Sequence, residues 1–356
     1  MNGQADCREP MLLSPAFKDY IWGGDRLIRE FGKKTELRPV AESWELSCHP
    51  DGLSAIASGI YKGRTLADVL DEHPGWIITG NENASAGFPV LIKFIDARLD
   101  LSLQVHPGDD YAKKHENDNG KNEAWYVIDC DPGTSLILGL KNNLPEGGVP
   151  GLLKDGAILN YVNNVPVKPG DCFIVPAGLL HAIRGGALIA EVQQSSNVTY
   201  RVYDYGRTGP DGKPRKLHTE RAAAVIDASA RVSNAADTAM TTPRDGYRIT
   251  DLIGWQFFRL SRVDVSGAAR LRGGNAFQAL LVIAGELTVE YGVPAGNGNG
   301  GSVSIPNDNN AGISQHIAGD ASHISVSAGK GACVFIPAGF GEYYLRGCGQ
   351  ALLTTI

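Results

Sequence analysis

Cysteine is scarce and unpatterned in this chain. Its six cysteines stand at positions 7, 48, 130, 172, 333 and 348, with no C-x-x-C among them. That excludes a disulfide framework and a thiolate zinc site of the usual spacing, and it fits a reducing compartment. No apolar run approaches the length of a membrane-spanning helix. The N-terminus, MNGQADCREPMLLSP, has neither the basic start nor the apolar core of a secretory signal. Positive charge is not in excess either: 33 Lys and Arg against 39 Asp and Glu leave a formal charge of −6, which gives no footing for nucleic acid. These absences predict a cytoplasmic protein with no membrane or nucleic-acid partner.

Glycine, at 44 residues, and proline, at 19, are abundant in the 356-residue chain. Many turns imply many short strands, and the length exceeds one typical domain. Helical periodicity is confined to short stretches: 23–32, 65–75 with Thr65 as N-cap and Asp68 at N3, 145–160, and 219–228 with Thr219 as cap. From Pro89 strand-like segments follow one another, separated by Gly, Pro, Asn and Asp. Residues 229–245 read as a polar linker, and everything beyond about 246 reads as strand and turn. Within it the Gly-, Asn- and Ser-rich stretch 292–314 reads as a mobile surface loop.

One internal repeat stands out. GDCFIVPAG (170–178) recurs as GACVFIPAG (331–339), with five of nine positions identical. Two copies of one β module explain it, and strands broken by regular turns suit antiparallel jelly-roll barrels. The expected architecture is therefore mainly β: two jelly-roll barrels with a few short helices at the N-terminus and between them. The boundaries are 1–214 for a first, catalytic domain, 215–245 for a helical linker and 246–356 for a second β domain.

The first copy carries His181 just past its turn. The offset that carries Gly170 onto Gly331 carries His181 onto Glu342, so the module does not need the histidine. Period two in a strand puts Gln104 and His106 on one face, and Lys121 and Glu123 on one face. Glu123 heads the apolar run AWYVID, where a buried carboxylate costs several kcal/mol without a partner. Two imidazoles, a carboxylate and an amide oxygen with positions to spare suit a divalent ion such as Zn²⁺. The second domain lacks such a set and is expected to bind no metal. Ser102 and Asn197 either hydrogen-bond a substrate or satisfy backbone groups. Lys93 is either catalytic or a strand lysine with a solvated tip. His115 and His218 lie in polar segments and read as exposed.

At these residues the chain resembles the type I mannose-6-phosphate isomerases, a branch of the cupin superfamily. The resemblance rests on SLQVHP (102–107), GKNEAWYVI (120–128), VPAGLLHAI (175–183) and EVQQSSNVTYRVYDYGR (191–207), in that order, with YIWGG (20–24) and AESWELS (41–47) before them. It implies two cupin-type barrels in the compact bacterial form. It also implies one zinc per chain, held by Gln104, His106, Glu123 and His181. The implied reaction is an aldose–ketose interconversion of mannose 6-phosphate and fructose 6-phosphate, with a proton moved between C1 and C2 through an enediol. Arg201 matches an active-site arginine, Lys121 a lysine given acid–base or phosphate duty, and Lys93 and Glu191 two further charged positions. A cationic fork such as Arg201 suits the phosphate. An iron-dependent cupin oxygenase and a non-catalytic sugar-phosphate-binding cupin are the alternatives. Gln104 in place of histidine weighs against the oxygenase, and the intact Lys121 and Arg201 weigh against the sensor. A chain of this size is expected as a monomer or homodimer.

Overall fold

The computed structural model describes residues 8–80, 87–142, 144–145, 148–153, 156–209, 212–292, 313–317 and 322–356. Of the stretch expected to form a mobile loop, 293–312 lies outside the described residues. The chain is mainly β, as its turn-rich composition predicts, and every strand pairing is antiparallel. No helix among the described residues is long and apolar enough to cross a membrane.

The first module contains two facing sheets. Six strands run in the order Cys172–Val175, Glu123–Cys130, Ala187–Gln194, Val90–Ala97, Glu42–Leu46, Ala16–Lys18. Five run Tyr200–Tyr203, Leu103–Val105, His181–Ile183, Ser135–Leu140, Val162–Pro166. Ile95, Trp125, Val127 and Ile189 from the first sheet mix with Leu136, Leu138 and Ile183 from the second in one core between them. The outer face of the five-stranded sheet is covered by the helical segments Gly148–Leu152, Ala157–Tyr161 and Thr219–Val225. The outer face of the six-stranded sheet packs Ile92, Phe94 and Ala124 against Phe258, Phe277 and Phe335 of the second module. Its central strands are thus buried on both faces, which is why VLIKFIDA reads as a nearly continuous apolar run rather than an alternating one.

The second module is a ten-stranded sheet dominated by three long strands, Arg259–Arg272, Gln278–Gly292 and Glu342–Thr355. It encloses its own core, with Val265, Leu280, Val289 and Leu345. The sequence repeat is one structural device used twice. Gly170 and Gly331 hold φ of 95° and 92°, each feeding a four-residue strand, and Gly178 and Gly339 hold φ of 86° and 70° where the next turn closes. Only glycine adopts such angles without strain.

Three expectations need correction. Thr65 does cap its helix, accepting the Asp68 N–H at 3.1 Å, but Thr219 is the first residue of its helix and His218 occupies the cap position. Residues 229–245 do not form a bare linker: Asn234 accepts the Cys172 N–H at 2.9 Å, and Met240–Arg244 pairs with Tyr247–Gly254. The boundary expected at 214 is also crossed by chain from the other end. Met11–Ser14 pairs with Cys333–Ile336 and Ala55–Ile56, so an N-terminal strand belongs to the second sheet.

A buried ion pair ties this junction. Lys33 Nζ lies 2.5 Å from Glu45 Oε1 and donates to the Gly331 carbonyl at 2.6 Å, while Glu45 is wholly buried on the Glu42–Leu46 strand. Lys33→Met leaves the carboxylate without its counter-charge, and unfolding by denaturant is expected to show a loss of about 3–5 kcal/mol. The Lys33→Met/Glu45→Met double variant is expected to recover most of that, since both desolvated charges are gone. A double variant no more stable than the single one would show that charge balance is not what the pair contributes.

Candidate functional site

The two sheets converge on one cluster. His106 Nε2 and His181 Nε2 lie 3.2 Å apart. Glu123 places Oε2 3.6 Å from the first and Oε1 3.4 Å from the second. All three residues are buried, and their potential ligand atoms lie within 4.8 Å of one another. The Gln104 amide reaches the same point, with Nε2 3.3 Å from His181 Nε2, and a half-turn of the amide puts its oxygen there.

Each imidazole is oriented by the backbone. His106 Nδ1 donates to the Val198 carbonyl at 2.7 Å, and His181 Nδ1 to the Leu179 carbonyl at 2.8 Å. A carbonyl can only accept, so the proton sits on Nδ1 and both Nε2 lone pairs face the cluster. Burial, with Lys121 close by, holds His106 well below its ordinary range, and burial brings His181 down to about 3. Both rings are neutral at physiological pH. Burial, reinforced by the charge of Glu191, raises the Glu123 carboxyl, and its Oε1 is buried with no hydrogen-bond partner. Lys121 Nζ lies 3.1 Å from His106 Nε2 as well as 2.6 Å from Glu123 Oε2, so an ammonium compensates one side of the cluster. His181 Nε2 and the orphaned Glu123 Oε1 still face each other at 3.4 Å, and this converging donor set fits a divalent metal.

A second feature is a row across the six-stranded sheet. Trp44 pairs in register with Lys93, Lys93 with Glu191, and Glu191 with Trp125, so the four side chains share a face. Lys93 Nζ lies 3.4 Å from Glu42 Oε2 and 3.1 Å from Glu191 Oε1. Lys121 Nζ lies 3.6 Å from Glu191 Oε1 and 2.6 Å from Glu123 Oε2. The result is an alternating chain, Glu42–Lys93–Glu191–Lys121–Glu123, that ends at the cluster. Burial alone pulls the Lys93 ammonium down, but Glu191 and Glu42 outweigh it and its pKa rises. Burial likewise opposes ionisation of Glu191, and Lys93 and Lys121 outweigh it, holding that carboxyl low. Trp125 Nε1 donates to Glu191 at 3.0 Å and Trp44 Nε1 to Glu42 at 2.7 Å, which fixes both carboxylates.

Glu42, Lys93, Lys121, Trp125 and Glu191, with Gln104, line a cavity of about 270 Å³. Arg201 lines it as well. It pairs in register with Gln104, which pairs with His181, so Arg201 stands one strand from Gln104 and two strands, roughly 10 Å, from His181 on the same sheet. Its Nη1 donates to the Lys216 carbonyl at 3.1 Å. Its Nε is buried without a partner, and no carboxylate among the described residues pairs with it. Tyr20 and Trp22 add apolar wall.

The structure thus brings Gln104, His106, Glu123 and His181 to one point, with Lys121, Lys93 and Glu191 beside it and Arg201 across the cavity. Lys93 has no solvated tip: it is 6% exposed and held between two carboxylates. Ser102 lines the cavity, and its hydroxyl lies 3.4 Å from the Gln104 amide. Asn197 lines it too, but its Nδ2 is engaged with Asp51 Oδ2 at 2.7 Å, leaving its carbonyl oxygen to the cavity. Sequence reasoning set His218 aside as exposed, and it lines the cavity; His115 is exposed as expected. Glu42, Tyr20, Trp22 and Arg215 received no site role from sequence. The first three lie in YIWGG and AESWELS, segments that carried the family resemblance, and that was the available signal.

Known proteins resemble this chain closely. A family model described as "Phosphomannose isomerase type I, catalytic domain" matches residues 11–128. The probable mannose-6-phosphate isomerase GmuF of Bacillus subtilis is 43% identical over 226 residues, 61% of this chain and 68% of that one. The mannose-6-phosphate isomerase of Streptococcus mutans is 36% identical over 285 residues, 80% of this chain and 88% of that one. The crystal structure of the mannose 6-phosphate isomerase from Bacillus subtilis superposes with a TM-score of 0.83 at 29% identity, covering 98% of this chain and 100% of that one.

The Tyr20–Gly24 turn that carries the cavity wall is held by Asp96, on the same strand as Lys93. Asp96 Oδ2 accepts the Arg26 N–H at 2.7 Å and fills the space where a side chain on Gly24 would lie. Burial raises this carboxyl from its ordinary 3.8 to about 6, against the lowering effect of Arg26. Between these values the native chain holds a proton that the unfolded chain has released, so stability falls as pH rises through the window. Relative to Asp96→Asn, the native sequence is expected to lose about 2 kcal/mol of unfolding free energy between pH 4 and pH 7. Parallel pH profiles for the two proteins would rule the burial argument out.

Proposed function

The chain belongs to the type I phosphomannose isomerases, and on that premise we propose that it interconverts mannose 6-phosphate and fructose 6-phosphate using zinc held by Gln104, His106, Glu123 and His181. One observation carries this reading. One cavity is lined by Gln104 at the edge of a preformed set of metal-ligand lone pairs, by an acid–base pair beside that set, and by an arginine with no carboxylate partner among the described residues.

Aldose–ketose interconversion removes a proton from carbon beside a carbonyl and returns it to the neighbouring carbon, leaving an enediol between the two steps. Negative charge develops on oxygen, and the zinc supplies, when bound, fixed positive charge that stabilises it. We assign the proton transfer to Lys121 and Glu191, whose Nζ and Oε1 lie 3.6 Å apart beside the cluster. Lys93 keeps Glu191 ionised from its other side, and Trp125 fixes the direction of that carboxylate. Arg201 receives the phosphate: its planar fork matches a phosphate face, and its buried Nε has a donor to spare. Ser102 and the Asn197 carbonyl face the sugar hydroxyls between these ends. The apolar walls Trp22 and Trp125 exclude water from the reacting carbons.

The direct test is an assay coupling fructose 6-phosphate formation from mannose 6-phosphate, run on protein as purified, after chelation, and after zinc is restored. Activity is expected to vanish on chelation and return with zinc. Inactivity both as purified and after zinc is restored, with metal bound, would refute the assigned substrate. Lys121→Met is expected to lower kcat by roughly 10²–10⁴-fold while metal content stays at one per chain. Loss of metal in that variant would instead place Lys121 in holding the cluster together.

A further inference from the structure

The cavity contains cationic and donor groups beyond Arg201 that no step above uses. Arg215 lines it and is held rigidly: Nε donates to Asp204 Oδ2 at 2.6 Å and Nη2 to Oδ1 of the same carboxylate. Asp204 is buried and is gripped from its other side by Arg207, whose Nη1 is turned away onto the Asp100 carbonyl. Three guanidinium groups therefore share one carboxylate's neighbourhood, and Arg201 itself pairs with no carboxylate among the described residues. The local excess of positive charge faces the cavity through Arg201 and Arg215.

His218 completes the group. Its main-chain N–H donates to the Arg201 carbonyl at 2.8 Å, and its Nδ1 accepts the Arg201 N–H at 3.1 Å. These two bonds hold His218 against the Arg201 backbone. Because Nδ1 is an acceptor, the proton of the neutral ring sits on Nε2, the opposite tautomer from His106 and His181. Partial burial and the neighbouring Arg201 hold His218 below its ordinary range, so it offers a neutral N–H donor to the cavity. A pre-fixed guanidinium, a second guanidinium with a spare buried Nε, and a tautomer-locked N–H are the donors that a tetrahedral dianion recruits.

Resting on the isomerase reading, we propose that Arg215 and His218 form, with Arg201, the subsite that binds the substrate's phosphate group. These three residues then select phosphorylated over free sugars, while the metal cluster and the Lys121–Glu191 pair act at the carbonyl end. The roughly 10 Å between the Arg201 and His181 strand positions gives a hexose phosphate room to span the two.

The test uses the metal-replete enzyme and the variants Arg215→Gln, His218→Phe and His218→Gln. Each is measured for KM and kcat with mannose 6-phosphate and, by calorimetry, for binding of inorganic phosphate. Arg215→Gln and His218→Phe are expected to weaken phosphate binding and raise KM by about ten- to a hundredfold, with a smaller effect on kcat. His218→Gln, which keeps a side-chain N–H donor, is expected to recover part of the loss. Unchanged phosphate binding and KM in both variants would overturn the proposal, as would a fall in kcat with KM unmoved. If Arg215→Gln unfolds, the His218 pair decides alone. Phosphate calorimetry reads the subsite without turnover, so an inactive parent enzyme would sink the isomerase reading and leave the subsite to be judged on binding.

Discussion

Burial of like charges side by side is the constraint on which the first module depends. Three carboxylates, Glu42, Glu123 and Glu191, lie between two sheets with almost no access to water. Each is tolerable only because an ammonium is placed against it, and the two lysines alternate with the three carboxylates along one line. Removing any one charge would leave a neighbour uncompensated in a medium where that is costly. With two lysines against three carboxylates the line is one positive charge short, and the deficit falls at Glu123, where the histidine lone pairs converge. A divalent cation at that end would resolve the imbalance.

The two sheets divide the work. The six-stranded sheet supplies the charged line and Glu123, held on both faces by packed cores, so these side chains have little freedom. The five-stranded sheet supplies Gln104, His181 and Arg201 as neighbours in register, and therefore sets the distance from cluster to arginine by strand spacing alone. His106 follows the end of its strand, where its Nδ1 is tied to the Val198 carbonyl. Preorganisation of this kind spares the site from reordering when substrate enters.

The second module shows what the repeated turn is for. Its glycine angles and four-residue strand reproduce those of the first, yet the position equivalent to His181 is Glu342, exposed and paired with Arg270 at 2.8 Å. No second group of converging ligands is found among the described residues. The repeat builds a sheet corner, and the converging His106, Glu123 and His181 stand beside one copy of it. The second module instead packs against the back of the charged sheet, with Lys33 reaching from Glu45 to the Gly331 carbonyl across the junction.

Much of this was legible in the sequence because it is local. Period two put Gln104 with His106, and Lys121 with Glu123, on common faces. Gly–Pro turns marked the strands, and the repeat exposed His181 as dispensable to the module. Other features depend on what covers a segment, and local pattern does not carry that. Lys93 reads as a lysine on a strand until a second layer buries the strand on both sides. Met11–Ser14 reads as the start of the first domain until Cys333–Ile336 offers it an edge. His218 and Arg215 sit in a polar loop that looks solvated, and only the fold-back onto Arg201 turns them into the cavity. The sequence by itself determined which groups could share a face along one strand. The tertiary structure alone decided which faces meet, because burial and charge compensation are properties of contacts between segments far apart in the chain.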